Sequence, residues 1–520
     1  MKHQSIVLLA AVMAANSFAN DEGFALSTVI WGDTNVPVCW ENVSATTAAQ
    51  RGWIQNAVTR TWEAQSSVRF TGWGQCNFAS QGIRIGAADV GPHVKALGNS
   101  LNARVDGMVL NFSYLNWSPS CQSRVQECSE IIAVHEFGHA LGFAHEQNRS
   151  DTPSTCNEPA QGSNGDTFIG PWDLNSVMNY CNPNWNGDGN LSPTDIDMVR
   201  NFYGLSMQRW ATRQGGFWDA QKWLVGDFNG DGVQDLANIF NDGGQASIDV
   251  HLSNGSNGFS HQRWATRQGG FWDAQKWVAG DFNGDGKDDL AKVFDDAGQA
   301  DIDVHISSGN TFSMQRWVTR QGGYWNNQQW LVGDFNGDGA DDLAKSFNDG
   351  GSASIDVHLS NSANSFAMYR WATQSGGFWD AQKWFAGDFN GDGIDDVAKV
   401  FEQSGASIDV HVSSTNSFSI QRWATNQGGY WNAQQWVVGD FNGDGADDFA
   451  KSFDTGGSAS IDVHHSNRTG FAIQRMATRQ GGFWNSQKWF AGNFNGGPRT
   501  EIGKVFNDSG NASIDVHLRR

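Results

Sequence analysis

The chain has 520 residues, 55 acidic against 34 basic, for a formal net charge of −21. That length exceeds what one compact core holds, so two or more domains are expected. The acidity argues against nucleic acid and anionic membranes as partners, since both need basic surface, and 62 glycines with only 17% charged residues favour turn-rich β structure.

Met1 to Ala19 reads as a secretory signal: Lys2 starts it, Ile6 to Ala15 is apolar, and Ser17-Phe18-Ala19 fits small-x-small cleavage. No other run approaches about 18 apolar residues, so a secreted, soluble protein without a membrane span is expected. All six cysteines (Cys39, Cys76, Cys121, Cys128, Cys156, Cys181) precede residue 182. In an exported domain they suggest disulfides. Proximity favours Cys121–Cys128 and Cys156–Cys181, leaving Cys39–Cys76, among ~15 possible pairings. A cysteine zinc site is the rival use, but no CxxC pair exists.

A first domain is expected over 20–205. Val36 to Trp40 reads as a strand, and Ser44 as the cap of a helix to about Gln65 whose apolar face uses Trp53, Ala57, Val58, Thr61 and Trp62. Short strands follow near Val68–Phe70, Ile83–Ile85 and Met108–Phe112, then a helix from about Glu130. The order suggests an α+β domain with this helix under a sheet.

That helix carries His135-Glu136-x-x-His139, followed by Gly142 and His145. Histidines at i and i+4 lie one turn apart on one face and can grip one metal ion. Glu136 beside the first can serve as general base. Gly142 can take a positive φ, ending the helix and swinging His145 back as third ligand. Three nitrogen ligands with an open fourth position suit one catalytic zinc. A plain buried helix would explain a lone HExxH, but not the full pattern.

His135-Glu136-x-x-His139-x-x-Gly142-x-x-His145 is the metzincin signature, and this stretch resembles that clan of zinc endopeptidases. Ser176-Val177-Met178-Asn179-Tyr180 resembles the Met-turn that supports the zinc site, where the role of Met178 is packing. His145-Glu146-Gln147-x-Arg149 looks like the astacin form of the motif. The astacin resemblance implies that Tyr180 is an additional zinc ligand able to swing and stabilise the oxyanion. It also implies that Glu146 pairs with the mature N-terminus. Leu191 to Gly204 resembles the closing helix of matrixins as much as that of astacins. Asn184-x-Asn186-Gly187-Asp188-Gly189 mimics the start of a calcium loop that Asp195 could complete. A turn capped by Ser192 before Pro193 explains the same residues and is favoured.

From 206 to 520 one unit recurs six times, marked by Arg209, Arg263, Arg316, Arg370, Arg422 and Arg475, at about 53 residues. Each copy holds four strand-like runs, in the first Met207–Thr212, Trp223–Phe228, Asp235–Phe240 and Ser247–Leu252. Four strands per repeat fit a propeller blade. If the QRWAT-type strand is outermost, the first copy must close the last blade, giving six blades without free edges. An open solenoid is the alternative.

Each unit carries an Asp-x-Asn-Gly-Asp-Gly-x-x-Asp loop whose oxygens suit calcium. The ligands would be Asp227, Asn229, Asp231 and Asp235 with the Val233 carbonyl. The equivalents are Asp281, Asn283, Asp285, Lys287 (carbonyl) and Asp289; Asp334, Asn336, Asp338, Ala340 (carbonyl) and Asp342; Asp388, Asn390, Asp392, Ile394 (carbonyl) and Asp396; and Asp440, Asn442, Asp444, Ala446 (carbonyl) and Asp448. About five structural calcium ions are therefore expected. The sixth copy, with Asn493, Asn495, Gly497 and Glu501, has lost most of its charge. Polar hairpin turns are the plainer reading, but five regular copies with a fourth ligand at the ninth position argue against it. The repeat resembles the FG-GAP (VCBS-type) repeats of integrin-like propellers.

Most of the 25 tryptophans fall in these repeats. Trp210 and Trp223 lie on strands and read as inter-blade packing. Trp218, Trp272, Trp325, Trp379, Trp431 and Trp484 follow glycine pairs in loops, where they are glycan-binding candidates, though buried packing is the safer reading. The repeated His251, His305, His358, His411, His464 and His517 read as structural hydrogen bonders. Together these features suggest a secreted, monomeric zinc endopeptidase acting on extracellular proteins or glycoproteins, with the propeller as targeting module. A lectin or adhesin is the alternative.

Overall fold

The structure, a computed structural model, describes residues 23–168, 172–325, 327–361, 364–379 and 381–519. The expected signal segment, Met1 to Ala19, lies outside them. Among the described residues no helix is long and apolar enough to cross a membrane. The chain forms two compact units. Among the described residues, the first comprises those up to Trp31 with Asn35–Gln65 and those from Arg69 to Val199, the second Gly32–Thr34, Ser66–Val68 and those from Arg200 onward.

In the first unit, β1 (Phe24–Ala25) pairs with β7 (Thr167–Phe168). A five-stranded sheet is built from β2 (Asn35–Trp40), β3 (Arg69–Gln75), β4 (Ile83–Ala87), β5 (His93–Val94) and β6 (Met108–Leu110), in the order β3-β2-β4-β6-β5. All neighbours run parallel except β5, an antiparallel edge that its two residues gave no periodicity to reveal.

Helix α1 spans Ala48–Val58 and continues as a π-helical turn over Thr59–Glu63. Its cap is Thr47, not Ser44. Thr47 and Gln50 form a reciprocal capping box, whereas Ser44 sits in a 3-10 turn. Ile54, Ala57, Val58, Thr61 and Trp62 are buried, and Trp53 is only half-buried. Helix α2 spans Val125–Ala140 and starts five residues before Glu130, just after Cys121. Every residue from Ile131 to Ala140 is buried, so α2 is a core helix rather than an amphipathic one. The Trp62 and Trp31 indoles donate to the Val134 and Ala140 carbonyls, at 2.8 and 2.7 Å, and Phe137 packs edge-on against Phe70 of β3. Burying each such ring contributes roughly 2–3 kcal/mol. Disulfides join Cys39–Cys76, Cys121–Cys128 and Cys156–Cys181, the pairing that proximity favoured.

The second unit is a six-bladed propeller of four-stranded antiparallel sheets. Its first blade consists of Lys222–Gly226, Asp235–Asp242, Gln245–Ser253 and Phe259–Ala265. Its last blade takes Lys488–Gly492, Glu501–Asp508 and Asn511–Leu518 and is completed by Ser206–Ala211, paired Ser206 to Leu518 and Ala211 to Ile514. The innermost strands neighbour one another around a ring that closes where Lys488–Gly492 meets Lys222–Gly226. The chain thus ties its own ring shut, as the phase of the repeat implied, and is not an open solenoid. Trp210 packs against Phe259 of the next blade.

Both faces of each blade are covered, so the polar positions of the third strand are buried and must find charge partners. In five blades a buried lysine (Lys292, Lys345, Lys399, Lys451, Lys504) faces the strand aspartate (Asp303, Asp356, Asp409, Asp462, Asp515) at 2.8–4.0 Å. The repeated arginine takes the same carboxylate, as Arg316 does Asp303. The first blade has Asn238 in the lysine's place, and His261, where other blades carry Met or Ile, meets Asp249 at 3.0 Å instead. Two of the repeated histidines hydrogen-bond as expected, His358 Nδ1 to Gln321 at 3.2 Å and His411 Nε2 to the Ser375 carbonyl at 3.4 Å, and four depart from that role. His251, His305, His464 and His517 have no hydrogen-bond partner on either ring nitrogen among the described residues. They lie against Trp223, Trp277, Trp436 and Trp489 at 5.0–5.6 Å, and burial lowers each to about 3.

Candidate metal centre

His135 and His139 project from one face of α2. The helix ends because Gly142 adopts φ 103°, a left-handed conformation costly for other residues. The chain then returns His145 to the helix face. The Nε2 atoms of His135 and His139 lie 3.2 and 3.1 Å from that of His145. Two nitrogens each 2.0–2.1 Å from a tetrahedral zinc would be about 3.3 Å apart. Among the described residues this is the group of three whose ligand atoms all fall within 4.8 Å of one another.

The opposite ring nitrogens fix the tautomers. His135 Nδ1 donates to the Val177 carbonyl at 2.7 Å, His139 Nδ1 to Phe143 at 2.7 Å, and His145 Nδ1 to Gln161 at 3.0 Å. All three lone pairs therefore face one point. Burial, reinforced by the neighbouring rings, lowers His135 to about 3 and His139 well below its ordinary value, and burial lowers His145. The neutral imidazole, the ligand form, holds at neutral pH.

Glu136 is 5% exposed, its Oε2 has no partner among the described residues, and burial raises it to about 8. It lines the cleft on both sides of the histidines. The Tyr180 ring stacks on His135 and lies 4.5 Å from His145. Burial, with the charges of Glu136 and Glu158, raises its hydroxyl to about 12.

Met178 is fully buried beneath α2. A Cβ on Gly138 would come within 2.4 Å of the Met178 sulfur and 3.1 Å of Trp62, so any larger residue at this point of the helix must push the methionine aside. Gly138→Ala is expected to cost about 1–3 kcal/mol by overpacking and to weaken zinc binding. Calorimetric melting and zinc titration of the full chain check this.

Two supports were not read from the sequence. Asp195 accepts from Ser176 Oγ (2.7 Å), the Val177 amide (2.9 Å), and the Ser192 amide (2.9 Å) and hydroxyl (3.0 Å), while Ser192 Oγ accepts from the Asp195 amide. Ser192 thus caps α3 (Pro193–Tyr203), as favoured over calcium. Asp195 also holds the turn whose Val177 carbonyl orients His135. The other support is Gln161, on the loop that Cys156–Cys181 closes. Glu146 is fully buried; it accepts from the Asp173 amide at 3.1 Å and pairs with Arg149 at 3.3 Å, leaving Oε2 unpartnered. Arg149 also donates to the Gly23 carbonyl. The expected partner, an N-terminus after Ala19, lies outside the described residues.

In the propeller loops, the Asp227 carboxylate accepts from the amides of Gly230, Asp231 and Gly232, and Asn229 and Asp231 brace the same turn. Asp281, Asp334, Asp388 and Asp440 repeat the arrangement with their own loops. The ninth-position aspartates are fully buried. One oxygen of Asp235, Asp342 and Asp396 has no partner, and Asn283 reaches the Asp289 oxygen at 3.3 Å. Burial, with the charges of the neighbouring loop aspartates, raises Asp235, Asp289, Asp342 and Asp396 to about 8. Buried, negatively surrounded carboxylates with a free oxygen fit a hard cation. The fifth loop differs, because His465 Nδ1 takes the free oxygen of Asp448 at 2.8 Å. In the sixth, Glu501 bonds Asn495 and the Phe494 amide, closing the turn on itself. A further partner was not foreseen: Asp288, Asp341, Asp395 and Asp447 each accept the amide of the first loop aspartate of the preceding blade.

The loop tryptophans correct the packing expectation. Trp218, Trp272, Trp325, Trp379, Trp431 and Trp484 are 39–44% exposed. Each stands edge-on to a strand phenylalanine, Trp218 to Phe240 for example, and leans over the second loop glycine, where a Cβ on Gly216 would meet the ring at 2.6 Å.

No curated protein matches the chain. Among solved structures it is similar to the Tc holotoxin pore of Photorhabdus luminescens (15% identity, TM-score 0.43, 61% of this chain and 14% of that one). It is also similar to AofleA of Arthrobotrys oligospora (8%, 0.40, 61% and 87%) and a fucose-specific lectin of Aleuria aurantia (10%, 0.34, 58% and 92%). The chain thus spans a small part of the toxin chain, and at these scores the likenesses carry no functional implication. The model of the Astacin peptidase family matches residues 120–157, which hold α2 and all three histidines, and this match indicates a zinc metallopeptidase.

Proposed function

We propose that the protein is a secreted metzincin-type, astacin-like zinc endopeptidase, with a catalytic domain over 20–205 and a calcium-stabilised FG-GAP-like propeller over 206–520. The observation that carries this is the convergence of three Nε2 atoms beside a buried carboxylate in an open cleft. His135, His139 and His145 would hold one zinc ion, which supplies polarisation of the scissile carbonyl and activation of water. Glu136 takes the proton of the attacking water and returns it to the amine nitrogen as the C–N bond breaks. The Tyr180 hydroxyl donates to the oxyanion as it develops. The Glu146 oxygen left unpartnered supports its pairing with an N-terminal ammonium. Purified protein should hydrolyse a denatured protein substrate, lose that activity to 1,10-phenanthroline, and regain it with zinc. Absence of zinc-dependent hydrolysis overturns the reading.

The exposed indoles support a second role for the propeller, binding glycans of extracellular substrates. Replacing Trp218, Trp272 and Trp325 together by alanine should lower retention on a glycoprotein column at least about tenfold, with hydrolysis of a short peptide unaltered. Retention that persists in a Glu136→Gln protein would show binding separable from hydrolysis, as a lectin or adhesin requires.

A further inference from the structure

The cleft has two ends of opposite character. On the side of His139 and His145 its rim carries His93 and Lys95, both exposed. On the side of His135 it opens into a pocket walled by Trp117, Ile132 and Trp185, with Glu158 and Asn186 as its polar groups beyond the site itself. Trp117 and Trp185 are 38% and 36% exposed, so indole surface is open to a ligand. Asn186 is 5% exposed and its Oδ1 has no partner among the described residues. A buried amide oxygen left unbonded costs free energy that a donor from a ligand would recover. Asn186, Gly187 and Asp188 are all left-handed, which holds this side chain at the pocket. Glu158 is exposed, has no ion-pair or hydrogen-bond partner among the described residues, and its charge reaches Tyr180. Arg124 lines an adjoining pocket that shares Trp117 and Trp185, and is paired with Glu127 at 3.1 Å.

Resting on the endopeptidase reading, we propose that this pocket selects a cationic side chain on an apolar stem, so that cleavage sites carry Lys or Arg at one fixed position beside the scissile bond. The stem lies along Ile132 and between the indoles, whose faces attract a cation. The head donates to Asn186 Oδ1 and pairs with Glu158.

The test uses the full-length protein and a proteome-derived peptide library. Lys or Arg should dominate one subsite. Glu158→Gln should lower the ratio of kcat/KM for a Lys peptide to that for its norleucine analogue about tenfold, and Glu158→Lys should shift the subsite toward Asp and Glu. Zinc content and melting temperature control for folding. No basic preference, an unchanged ratio in Glu158→Gln, or an acidic preference in the parent protein, which would assign the subsite to Arg124, overturns the proposal. Binding of the same two peptides to the Glu136→Gln protein separates this from the parent reading. Lys-selective binding without hydrolysis by the parent protein leaves the pocket and sinks the peptidase. Equal binding of both peptides sinks the pocket.

Discussion

Glu136→Gln should hydrolyse peptides at least about 100-fold, and up to about 10⁴-fold, more slowly than the parent protein, while still binding zinc. Glutamine keeps the size and polarity of the buried side chain, and none of the three histidines uses Glu136 to orient its ring, since their Nδ1 partners are the carbonyls of Val177, Phe143 and Gln161. The amide oxygen cannot take and return a proton, so the loss falls on kcat more than on KM. Metal analysis of the purified variant, with kcat and KM from a quenched fluorescent peptide, decides the matter. Full activity with bound zinc removes Glu136 from the chemistry.

Much of this centre was legible because its logic is local. Two histidines four residues apart must share a helix face, and Gly142 marks where the backbone takes a conformation that other residues avoid. The supports were not legible, because they lie far along the chain. The Val177 carbonyl is 42 residues from His135, Gln161 is 16 from His145, and Asp195 reads in isolation as a calcium ligand or helix cap. Local rivalry hid other details. Ser44 and Thr47 both suit a cap, and only the Gln50 amide returning to the Thr47 backbone decides between them. In the propeller the repeat phase dictated closure, since a strand at one end and its missing partner at the other leave one way to bury both edges. The loop tryptophans show the limit of that reasoning. Composition suggests burial for an indole, but each loop turns its ring outward over glycine backbone. The histidines show it as well: for His251, His305, His464 and His517, packing against a tryptophan ring rather than hydrogen bonding accounts for a side chain that sequence alone reads as polar.

Calcium should raise the melting temperature of the propeller on the order of 10–20 °C. A ligand at 100 times its dissociation constant stabilises by ~2.7 kcal/mol per site, and four such sites sum to about 10 kcal/mol, a shift of that order for a domain of this size. The number of tight sites expected is four rather than the five counted in sequence, because His465 competes for the Asp448 oxygen that the other loops leave open or hold only through asparagine. Isothermal titration should therefore show four equivalent sites and a weaker fifth. His465→Leu, the residue that stands there as Leu252 and Leu359 in other blades, should bring the fifth to par. The calcium-free protein has its own pH signature. Asp235, Asp289, Asp342 and Asp396 sit at about 8 when folded, far above their unfolded value, so the stability they contribute is present at low pH and lost as pH rises through 8. The buried His251, His305, His358, His411, His464 and His517 have folded values of about 3 to 4, and their contribution is lost as pH falls below about 6.5. Without calcium the melting temperature should accordingly rise as pH falls from about 8.5 to 6.5, the buried histidines opposing that rise only below about 6.5. With calcium the upper branch should reverse, because the ion favours the ionised carboxylates. Melting curves at several pH values with and without chelator test both statements. An upper branch insensitive to calcium would mean that these loops bind no cation.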